Sequence, residues 1–419
     1  MRRMPLTYQI FIGMVVGLIL GTIVGGPIAT QWLKPFGDIF IRLIRMLVVP
    51  LVFFSLAAGA ASLGDITKLG RIGGKILGLY IGTTVIASTL GLIVGNMLQP
   101  GAGLAKAALK APEVAKPPTV GDMLINIFPL NPVDAMARAD MLQIIVFALF
   151  FGVAISMVGE RASGLKSIIE QGNEAMLKLV GIVMAYAPIG VAALMAWVAG
   201  AIGFSILVPL AVYLVGVIVA IFLHGGILYS LIVAGIGGVS PVRFYKNAVD
   251  FMLVAFTTCS SAAALPLNMQ AAEKKMGVPR SLYGFTLPLG ATVNMDGTAI
   301  YMGVATVLIA QFYGISLTFS QQLTVILTAT LASIGAAGVP GAGLVMMSMV
   351  LTAVGLPLEG IAIIAGVDRI ADMFRTTLNV TGDAACTVGV ARTEGMLDKE
   401  VFYGRKVVPE VGAAAAQTA

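Results

Sequence analysis

The sequence is poor in the residues from which disulfide frameworks and metal centres are built. It has two cysteines, Cys259 and Cys386, and one histidine, His224. Both cysteines stand in apolar surroundings, which argues against a disulfide framework and against a metal-thiolate cluster. His224, within IFLHGGILY, is predicted to pack or to lie at a membrane interface, with a metal or proton-relay role as the alternative. No nucleophile paired with a base and no phosphate-binding loop is visible, so neither an enzyme nor a resident cofactor is expected.

Charge is also scarce. Only 11% of the 419 residues are charged and 58% are hydrophobic, which argues against every soluble class. The net charge of +6 comes from basic residues scattered between apolar runs, so nucleic acid is not an expected partner. Apolar runs of roughly 20 residues, enough to cross about 30 Å of hydrocarbon, recur along most of the chain. The pattern predicts an all-α polytopic membrane protein embedded in a lipid bilayer.

The first half of the chain reads as ordinary membrane spans. They are predicted near residues 8–28, 38–63, 73–97, 139–158, 176–200 and 204–236. In the first span, Gly13, Gly17 and Gly21 recur every four residues, which favours close helix packing. The length and glycines of this span favour a retained helix over a cleaved signal peptide. Basic residues at alternate span ends predict a cytoplasmic amino terminus by the positive-inside rule.

Beyond about residue 240, two apolar regions are interrupted by small residues. The first reads NAVDFMLVAF, TTCSSAAALP, LNMQAAEKKMG, and the second QQLTVILTATLA, SIGAAGVPGAG, LVMMSMVLTAV. Arms of about ten to fourteen residues are typical of re-entrant helical hairpins, whose non-helical tips need polar partners. Two such tips predict a polar site between them, as in secondary transporters. Two long spans kinked by glycine and proline are the alternative.

A third interruption is the run Asn294, Met295, Asp296, Gly297, Thr298. An aspartate in hydrocarbon is costly, so Asp296 should be paired, protonated or bound to a cation. Carboxylate, amide and carbonyl oxygens suit an alkali or alkaline-earth cation. A hydrogen-bonded helix kink is the alternative, and it explains Asn294 and Gly297 better than Asp296.

The segment DRIADMFRTTLNVTGDAAC concentrates polarity in one predicted helix. Asp368, Asp372, Arg375, Asn379 and Asp383 follow one another at four, three, four and four residues and form a stripe about 80° wide. A guanidinium binds a carboxylate bidentately and an aspartate binds an ammonium group, so the set fits an acidic amino acid. An ion pair of Asp372 and Arg375 that only neutralises itself in the bundle is the alternative.

Together these motifs closely resemble the glutamate/aspartate transporter family, the dicarboxylate/amino acid:cation symporters. The resemblance runs from KPFGDIFIRLIRMLVVPLVF through the serine-rich tip, NMDGTA and ASIGAAGVPGAG to DMFRTTLNVTGD. It implies an elevator-type transporter with eight transmembrane helices and two re-entrant hairpins, near 243–276 and 319–355, the second acting as gate. It also implies that residues 1–419 form one protomer of a homotrimer.

The resemblance further divides the protomer into two parts. Scaffold and trimerisation helices are expected mainly within 1–72 and 120–235. A mobile transport domain is expected mainly in 73–97 and 236–395.

Carried over residue by residue, the resemblance assigns Arg375 to the substrate's side-chain carboxylate and Asp372 to its amino group. The other substrate contacts that it implies are Ser261, Thr298, Val339, Gly343, Thr376 and Asn379. It implies three sodium sites, the first formed by Gly290, Asn294, Asn379 and Asp383, the second by Thr292, Met295, Ser333, Ile334 and Ala336, and the third by Tyr80, Thr83, Thr84, Asn294 and Asp296.

Two departures from the family pattern stand out. Relatives usually carry a further arginine, either at the position of Cys259 or at that of Met373, and this sequence has neither. Arg369 lies one helical turn before Met373, so we expect it to assume that electrostatic role. Ala336 stands where some relatives have threonine, a mild change at a site built mostly from carbonyls.

The expected function is symport of glutamate or aspartate with sodium across the inner membrane of a prokaryotic cell. A proton-coupled symporter of the same family is the nearest alternative, and both cation-site aspartates favour sodium over it. A neutral amino acid would leave Arg375 without a carboxylate, and a C4-dicarboxylate would be repelled by Asp372. A channel or a receptor is the alternative from another class, but gated tips favour alternating access.

Overall fold

In the computed structural model, residues 6–62, 66–102, 125, 128–333 and 342–407 are described. These residues form helices and no strands. The helices of the first half are α1 Leu6–Ile28, α2 Lys34–Ser62, α3 Ile66–Leu98, α4 Pro132–Arg138, α5 Met141–Val158, α6 Ser163–Ile202 and α7 Leu207–Leu223. Those of the second half are α8 Pro241–Thr258, α9 Ser261–Lys274, α10 Arg280–Val293, α11 Asp296–Phe312, α12 Phe319–Ser333, α13 Ala342–Ala353, α14 Ile361–Ala365, α15 Asp368–Thr393 and α16 Lys399–Phe402.

Several described helices are long and apolar enough to cross a bilayer. The stretches are Gln9–Ile28, Gln31–Ala58, Arg71–Leu98, Gln143–Gly200, Leu207–Ile236 and Arg280–Phe312. The fourth holds 58 residues, well beyond one crossing, and a single 3₁₀ turn divides it into α5 and α6. The chain is therefore a multi-pass membrane protein, and the helices predicted for its first half are confirmed.

The glycine stripe of α1 lies against α6. The facing pairs are Gly13 with Pro188, Gly17 with Ala192 and Gly21 with Ala196. A Cβ atom on Gly17 would lie 2.2 Å from the carbonyl oxygen of Ala192, a distance that leaves no room for a side chain. The prediction that this stripe mediates close helix packing is confirmed.

Helices α2, α5 and α6 also pack together, next to α1. α2 packs against both α5 and α6. At its amino-terminal end, the Lys34 ammonium lies 5.0 Å from the ring centroid of Trp197 on α6. The other tryptophan, Trp32, lies on the short π-helical turn between α1 and α2 and is exposed.

The first hairpin comprises α8 and α9. Cys259, between the two helices, adopts a left-handed conformation with φ of 53°, and Ser260 caps α9. At the opposite end, the Asn247 side chain donates a hydrogen bond to the Lys275 carbonyl (2.7 Å), so the arms run antiparallel. The predicted break between short helices is confirmed, whereas re-entrance into a bilayer stays a prediction.

The second hairpin comprises α12 and α13. Its arms are also antiparallel, because the Gln321 side chain at the start of α12 donates to the Val354 carbonyl just beyond α13 (3.3 Å). Its tip, residues 334–341, lies outside the described residues.

Helix α15, which carries the polar stripe, lies among most of the elements of the second half. It packs against α8, α9, α10 and α11, and also against α3 and α7. The predicted interruption at NMDGT is confirmed, because α10 ends at Val293 and α11 begins at Asp296. Between them, Asn294 and Met295 have ψ values of 84° and 53°, outside the helical range.

Helix α7 differs from the ordinary span that its sequence predicts. It continues through two π-helical turns, His224–Tyr229 and Ile232–Ile236. It packs against α3, α11 and α15, all of them assigned to the transport domain by the resemblance. The residues predicted as the last part of the scaffold therefore adjoin the polar stripe.

Beyond the carboxyl end of α15, Glu394 joins this helix to α3. Its carboxylate lies 2.6 Å from Arg71 Nη2 and 2.6 Å from Lys75 Nζ. Hydrogen bonds from Arg71 and then Lys75, together with their positive charge, lower the pKa of Glu394.

Candidate substrate and cation site

The five stripe residues of α15 lie together inside the protein, as predicted. Asp368, Asp372, Arg375, Asn379 and Asp383 are each at most 6% exposed. Their four-three-four-four spacing keeps them on one side of a regular helix. A stripe of this kind is costly in an apolar interior unless each member has a partner.

Arg375 has partners on several sides. Its Nη2 lies 2.9 Å from Asp372 Oδ1, and its Nη1 lies 3.4 Å from Asp368 Oδ1. The guanidinium carbon lies 4.5 Å from the ring centroid of Tyr301 on α11. A Cβ atom on Gly343 would lie 2.3 Å from Arg375 Nη1, so the first turn of α13 touches the guanidinium. The structure thus brings together Asp372, Arg375 and Gly343, all predicted substrate contacts.

The amide of Asn379 links the stripe to the interrupted helix. Its Oδ1 accepts from the Gly297 backbone N–H (2.8 Å), and its Nδ2 donates to Thr298 Oγ1 (3.3 Å). One turn earlier, Thr376 Oγ1 donates to Asp372 Oδ1 (2.8 Å). The predicted contacts Asn379 and Thr298 are thus joined to each other by a hydrogen bond, and the predicted contact Thr376 is joined to Asp372.

The predicted first cation site is grouped around Asp383. Asn294 Nδ2 donates to Asp383 Oδ1 (3.0 Å). A Cβ atom on Gly290 would lie 2.6 Å from the same oxygen, so the absence of a side chain there leaves space beside the carboxylate. Gly290, Asn294 and Asp383 are brought together, while Asn379 lies one turn away on α15.

The predicted third cation site is also assembled. Thr84 Oγ1 donates to Asp296 Oδ1 (2.7 Å), and Thr83 Oγ1 donates to Asn294 Oδ1 (3.2 Å). Both threonine hydroxyls also lie within hydrogen-bond distance of the Tyr80 carbonyl oxygen. Hydroxyl, amide, carbonyl and carboxylate oxygens from two distant parts of the chain thus converge on one buried place.

Two residues at this place were not among the predicted site residues. His224 Nε2 lies 3.0 Å from Asp296 Oδ2, and the Tyr229 hydroxyl donates to the same oxygen at 2.7 Å. Both side chains are buried, which confirms the prediction that His224 packs, and the packed imidazole also has a hydrogen-bond partner in Asp296. Both residues lie on the π-helical turn, which nothing in the sequence signalled.

The second predicted cation site is described only in part. Ser333 Oγ lies 3.3 Å from the Val293 carbonyl, which brings the end of α12 to the interruption that holds Thr292 and Met295. Ile334 and Ala336 lie outside the described residues, as does the predicted substrate contact Val339.

Arg369 reaches the first hairpin tip. Its Nη2 donates to the Thr258 carbonyl (3.2 Å), one residue before Cys259. Ser261, a predicted substrate contact, begins α9 just beyond this tip and is buried. The guanidinium of Arg369 thus lies beside Cys259, the position at which the family resemblance predicts an arginine.

The buried charges of the described residues do not balance. Among the described residues, the acidic and basic residues that are buried, His224 aside, are four aspartates, Asp296, Asp368, Asp372 and Asp383, and one arginine, Arg375. Unpaired buried carboxylates are unfavourable, so positively charged ligands would stabilise this arrangement. A multi-pass helical protein with a buried, anion-rich site between broken helices has the features of a secondary transporter.

Comparison with known proteins gives the family. Residues 6–393 match the model of the sodium:dicarboxylate symporter family, and the chain belongs to that family. Among similar proteins, the proton/sodium-glutamate symport protein of Bacillus caldotenax is 36% identical over 412 residues, covering 96% of this chain and 97% of the relative. The proton/glutamate-aspartate symporter of Escherichia coli is 36% identical over 426 residues, covering 97% of each. The C4-dicarboxylate transport protein of Bacillus subtilis is 34% identical over 402 residues, covering 94% of each.

Proposed function

We propose that this protein imports an acidic amino acid, aspartate or glutamate, together with sodium ions. The observation that carries the proposal is that Arg375, on the buried stripe of α15, contacts both Asp372 of the same stripe and Gly343 of the second hairpin. Family membership supports symport, and the similar proteins named above are glutamate, glutamate-aspartate and C4-dicarboxylate transporters.

The substrate would bind along α15. Its side-chain carboxylate pairs with the Arg375 guanidinium. It takes the place of Asp368, whose contact with Arg375 Nη1 is long at 3.4 Å. Its amino group binds Asp372, which a C4-dicarboxylate could not exploit. Thr298, Thr376 and Asn379 add hydrogen bonds, Ser261 and Gly343 contribute from the two hairpins, and Val339, outside the described residues, stays a predicted contact.

Sodium ions would bind at the three predicted sites and are co-transported. One interacts with Asp383 on the stripe, beside Gly290 and Asn294, and one with Asp296 of the interrupted helix, beside Thr84. Neutralising them favours binding of the substrate, and by linkage the substrate favours binding of the cations. Each net positive charge moved inward gains about 2.3 kcal/mol per 100 mV of membrane potential.

Alternating access would follow an elevator mechanism within a homotrimer in the inner membrane, with the amino terminus in the cytoplasm. The second hairpin is the proposed gate, since Gly343 at the start of α13 touches Arg375. We assign α7 to the transport domain and not to the predicted scaffold, because it packs against α3, α11 and α15.

Uptake of labelled aspartate into proteoliposomes tests the proposal. Sodium is replaced by choline at fixed pH, and unlabelled glutamate, succinate and alanine are tried as competitors. We expect uptake only with sodium, and competition by glutamate alone. Uptake that persists in choline and follows an inward proton gradient would establish proton coupling instead. Competition by succinate would indicate a C4-dicarboxylate transporter instead, and competition by alanine a neutral amino acid transporter.

A further inference from the structure

The carboxylate of Asp296 is held by more donors than a cation site alone requires. Thr84 donates to Oδ1, whereas Tyr229 and His224 both engage Oδ2 at 2.7 and 3.0 Å. None of these side chains is more than 2% exposed. Three hydrogen bonds offset much of the cost of burying the carboxylate, and they also fix its orientation.

The π-helical turn makes this arrangement possible. In a regular α-helix, residues five apart point about 140° away from each other. In the π-helical turn, the rings of His224 and Tyr229 lie edge to face with centroids 5.1 Å apart. Tyr245 of the first hairpin donates to the carbonyl of Gly225, which holds the turn from outside.

Space for the tyrosine comes from α15. A Cβ atom on Gly382 would lie 2.3 Å from the Tyr229 hydroxyl and 2.7 Å from Asn294 Nδ2. Any side chain there would therefore separate Tyr229 from Asp296. Gly382, directly before Asp383, thus leaves room for Tyr229, the partner of Asp296, and for Asn294, the partner of Asp383.

The surroundings of the imidazole indicate its tautomer. Among the described residues, His224 Nδ1 is buried and has no hydrogen-bond partner. A proton on Nδ1 would be a buried donor without an acceptor, which is unfavourable. The Nε2–H tautomer instead donates to Asp296 Oδ2.

We propose that His224 and Tyr229 are positioning residues that hold Oδ2 of Asp296, so that Oδ1, which accepts a hydrogen bond from Thr84, is preorganised for the coupling cation. This inference rests on the proposed function, because it assigns Asp296 to a transported cation. Residues that orient a ligand from behind typically change cation affinity by about tenfold or more when they are lost.

Sodium dependence of uptake gives the first test. In His224→Leu and in Tyr229→Phe, the sodium concentration for half-maximal aspartate uptake should rise on the order of tenfold. The aspartate KM at saturating sodium should stay near that of the wild type. His224→Gln, which keeps an N–H donor, should restore much of the loss. Tyr213→Phe is the matched control, because Tyr213 is a buried α7 tyrosine whose hydroxyl lacks a partner among the described residues.

The single histidine gives a second test that needs no transport. Protein labelled with ¹⁵N-histidine and purified through a histidine-free tag reports on His224 alone. We expect the neutral Nε2–H tautomer, with an Nε2 signal that moves as sodium is added and a different signal in Tyr229→Phe.

The outcomes separate the two proposals. Unchanged sodium half-saturation in both variants, or an Nδ1–H tautomer in the wild type, would overturn this inference while leaving sodium symport intact. Wild-type uptake that ignores sodium would overturn the proposed coupling and the assignment of Asp296 with it.

Discussion

At the scale of single residues, Arg375 is the residue that we propose selects the charge of the substrate. Its guanidinium is buried, its face lies on Tyr301 and its edge meets two carboxylates. A planar fork of this kind can hold a carboxylate through two parallel hydrogen bonds, which an ammonium cannot do.

We predict that Arg375→Lys folds but transports acidic amino acids poorly. Lysine keeps the positive charge beside Asp368 and Asp372 but loses the planar face on Tyr301 and the bidentate geometry, a loss of about 1.5 to 3 kcal/mol. The aspartate KM should therefore rise at least about tenfold. Kinetics of labelled aspartate uptake measure this effect. Arg392→Lys, an exposed site at the far end of α15, is the control, and an unchanged KM at position 375 would contradict the proposed role.

Arg369 is the second residue whose role can be isolated. Its hydrogen bond to Thr258 joins α15 to the first tip, where the family resemblance predicts an arginine. We predict that Arg369→Ala lowers turnover several-fold and alters the pH dependence of uptake, whereas Arg392→Ala does neither. A variant with wild-type turnover and pH profile would exclude the displaced electrostatic role.

The residues of the stripe were predictable and those of the π-helical turn were not, for one physical reason. Regular α-helical geometry turns a spacing of three and four into a common face, so Asp368 to Asp383 could be grouped from sequence. His224 and Tyr229 are five apart and share a side only because the helix locally changes its hydrogen bonding. No composition signal in IFLHGGILY marks that change.

At the scale of elements, the contact of α1 with α6 shows how small residues set the distance between helices. The side of α1 that carries Gly17 meets backbone atoms of α6, not the ends of flexible side chains. A larger residue there cannot be accommodated by a rotamer change, so one helix would have to shift.

We predict that Gly17→Leu lowers the free energy of unfolding by about 1 to 3 kcal/mol, the usual cost of overpacking. Gly181→Ala on α6 is the control, because a Cβ atom there would meet nothing within 4 Å. Thermal unfolding of the purified variants in detergent compares them. Equal transition temperatures for Gly17→Leu and the wild type would contradict the packing argument.

The hairpins were predictable as elements because arm length and small-residue tips are visible in sequence. The role of α7 could not be predicted, because the sequence of an apolar span indicates its length but not the helices against which it packs. Only packing brings its π-helical turn to Asp296.

At the scale of the whole molecule, the carboxyl end of α15 is connected to α3 by charge. Glu394 bridges Arg71 and Lys75, 323 and 319 residues away in sequence. The lowered pKa of Glu394 means that this contact stabilises the folded state at any pH above the ordinary glutamate pKa of about 4.3. The contribution is lost as the pH falls through the lowered folded-state pKa.

We therefore predict that Glu394→Gln unfolds at a lower temperature than the wild type at pH 7, and that the difference shrinks below about pH 4. Added salt should also reduce the difference, since Arg71 is exposed. Thermal unfolding from pH 7 to pH 3.5 measures both effects. Glu400→Gln, which breaks an exposed pair with Arg405, is the control and should change little. A pH-independent difference would show that Glu394 acts through packing and not through charge.

Trp197, whose ring lies against Lys34, belongs to a group of helices that contains both tryptophans of the protein. The sequence has two tryptophans, Trp32 and Trp197, and both belong to the α1, α2 and α6 side. Tryptophan fluorescence therefore comes only from Trp32 and Trp197, on the side proposed as the scaffold, and α8 to α15 contribute none of it. A tryptophan at Phe256, which meets Phe374 of α15 edge to face at 5.2 Å, would give the proposed moving part its own emission. The fluorescence of the wild type, which comes from Trp32 and Trp197, would serve as the reference. The additional emission of the Phe256→Trp variant would then report on the proposed moving part.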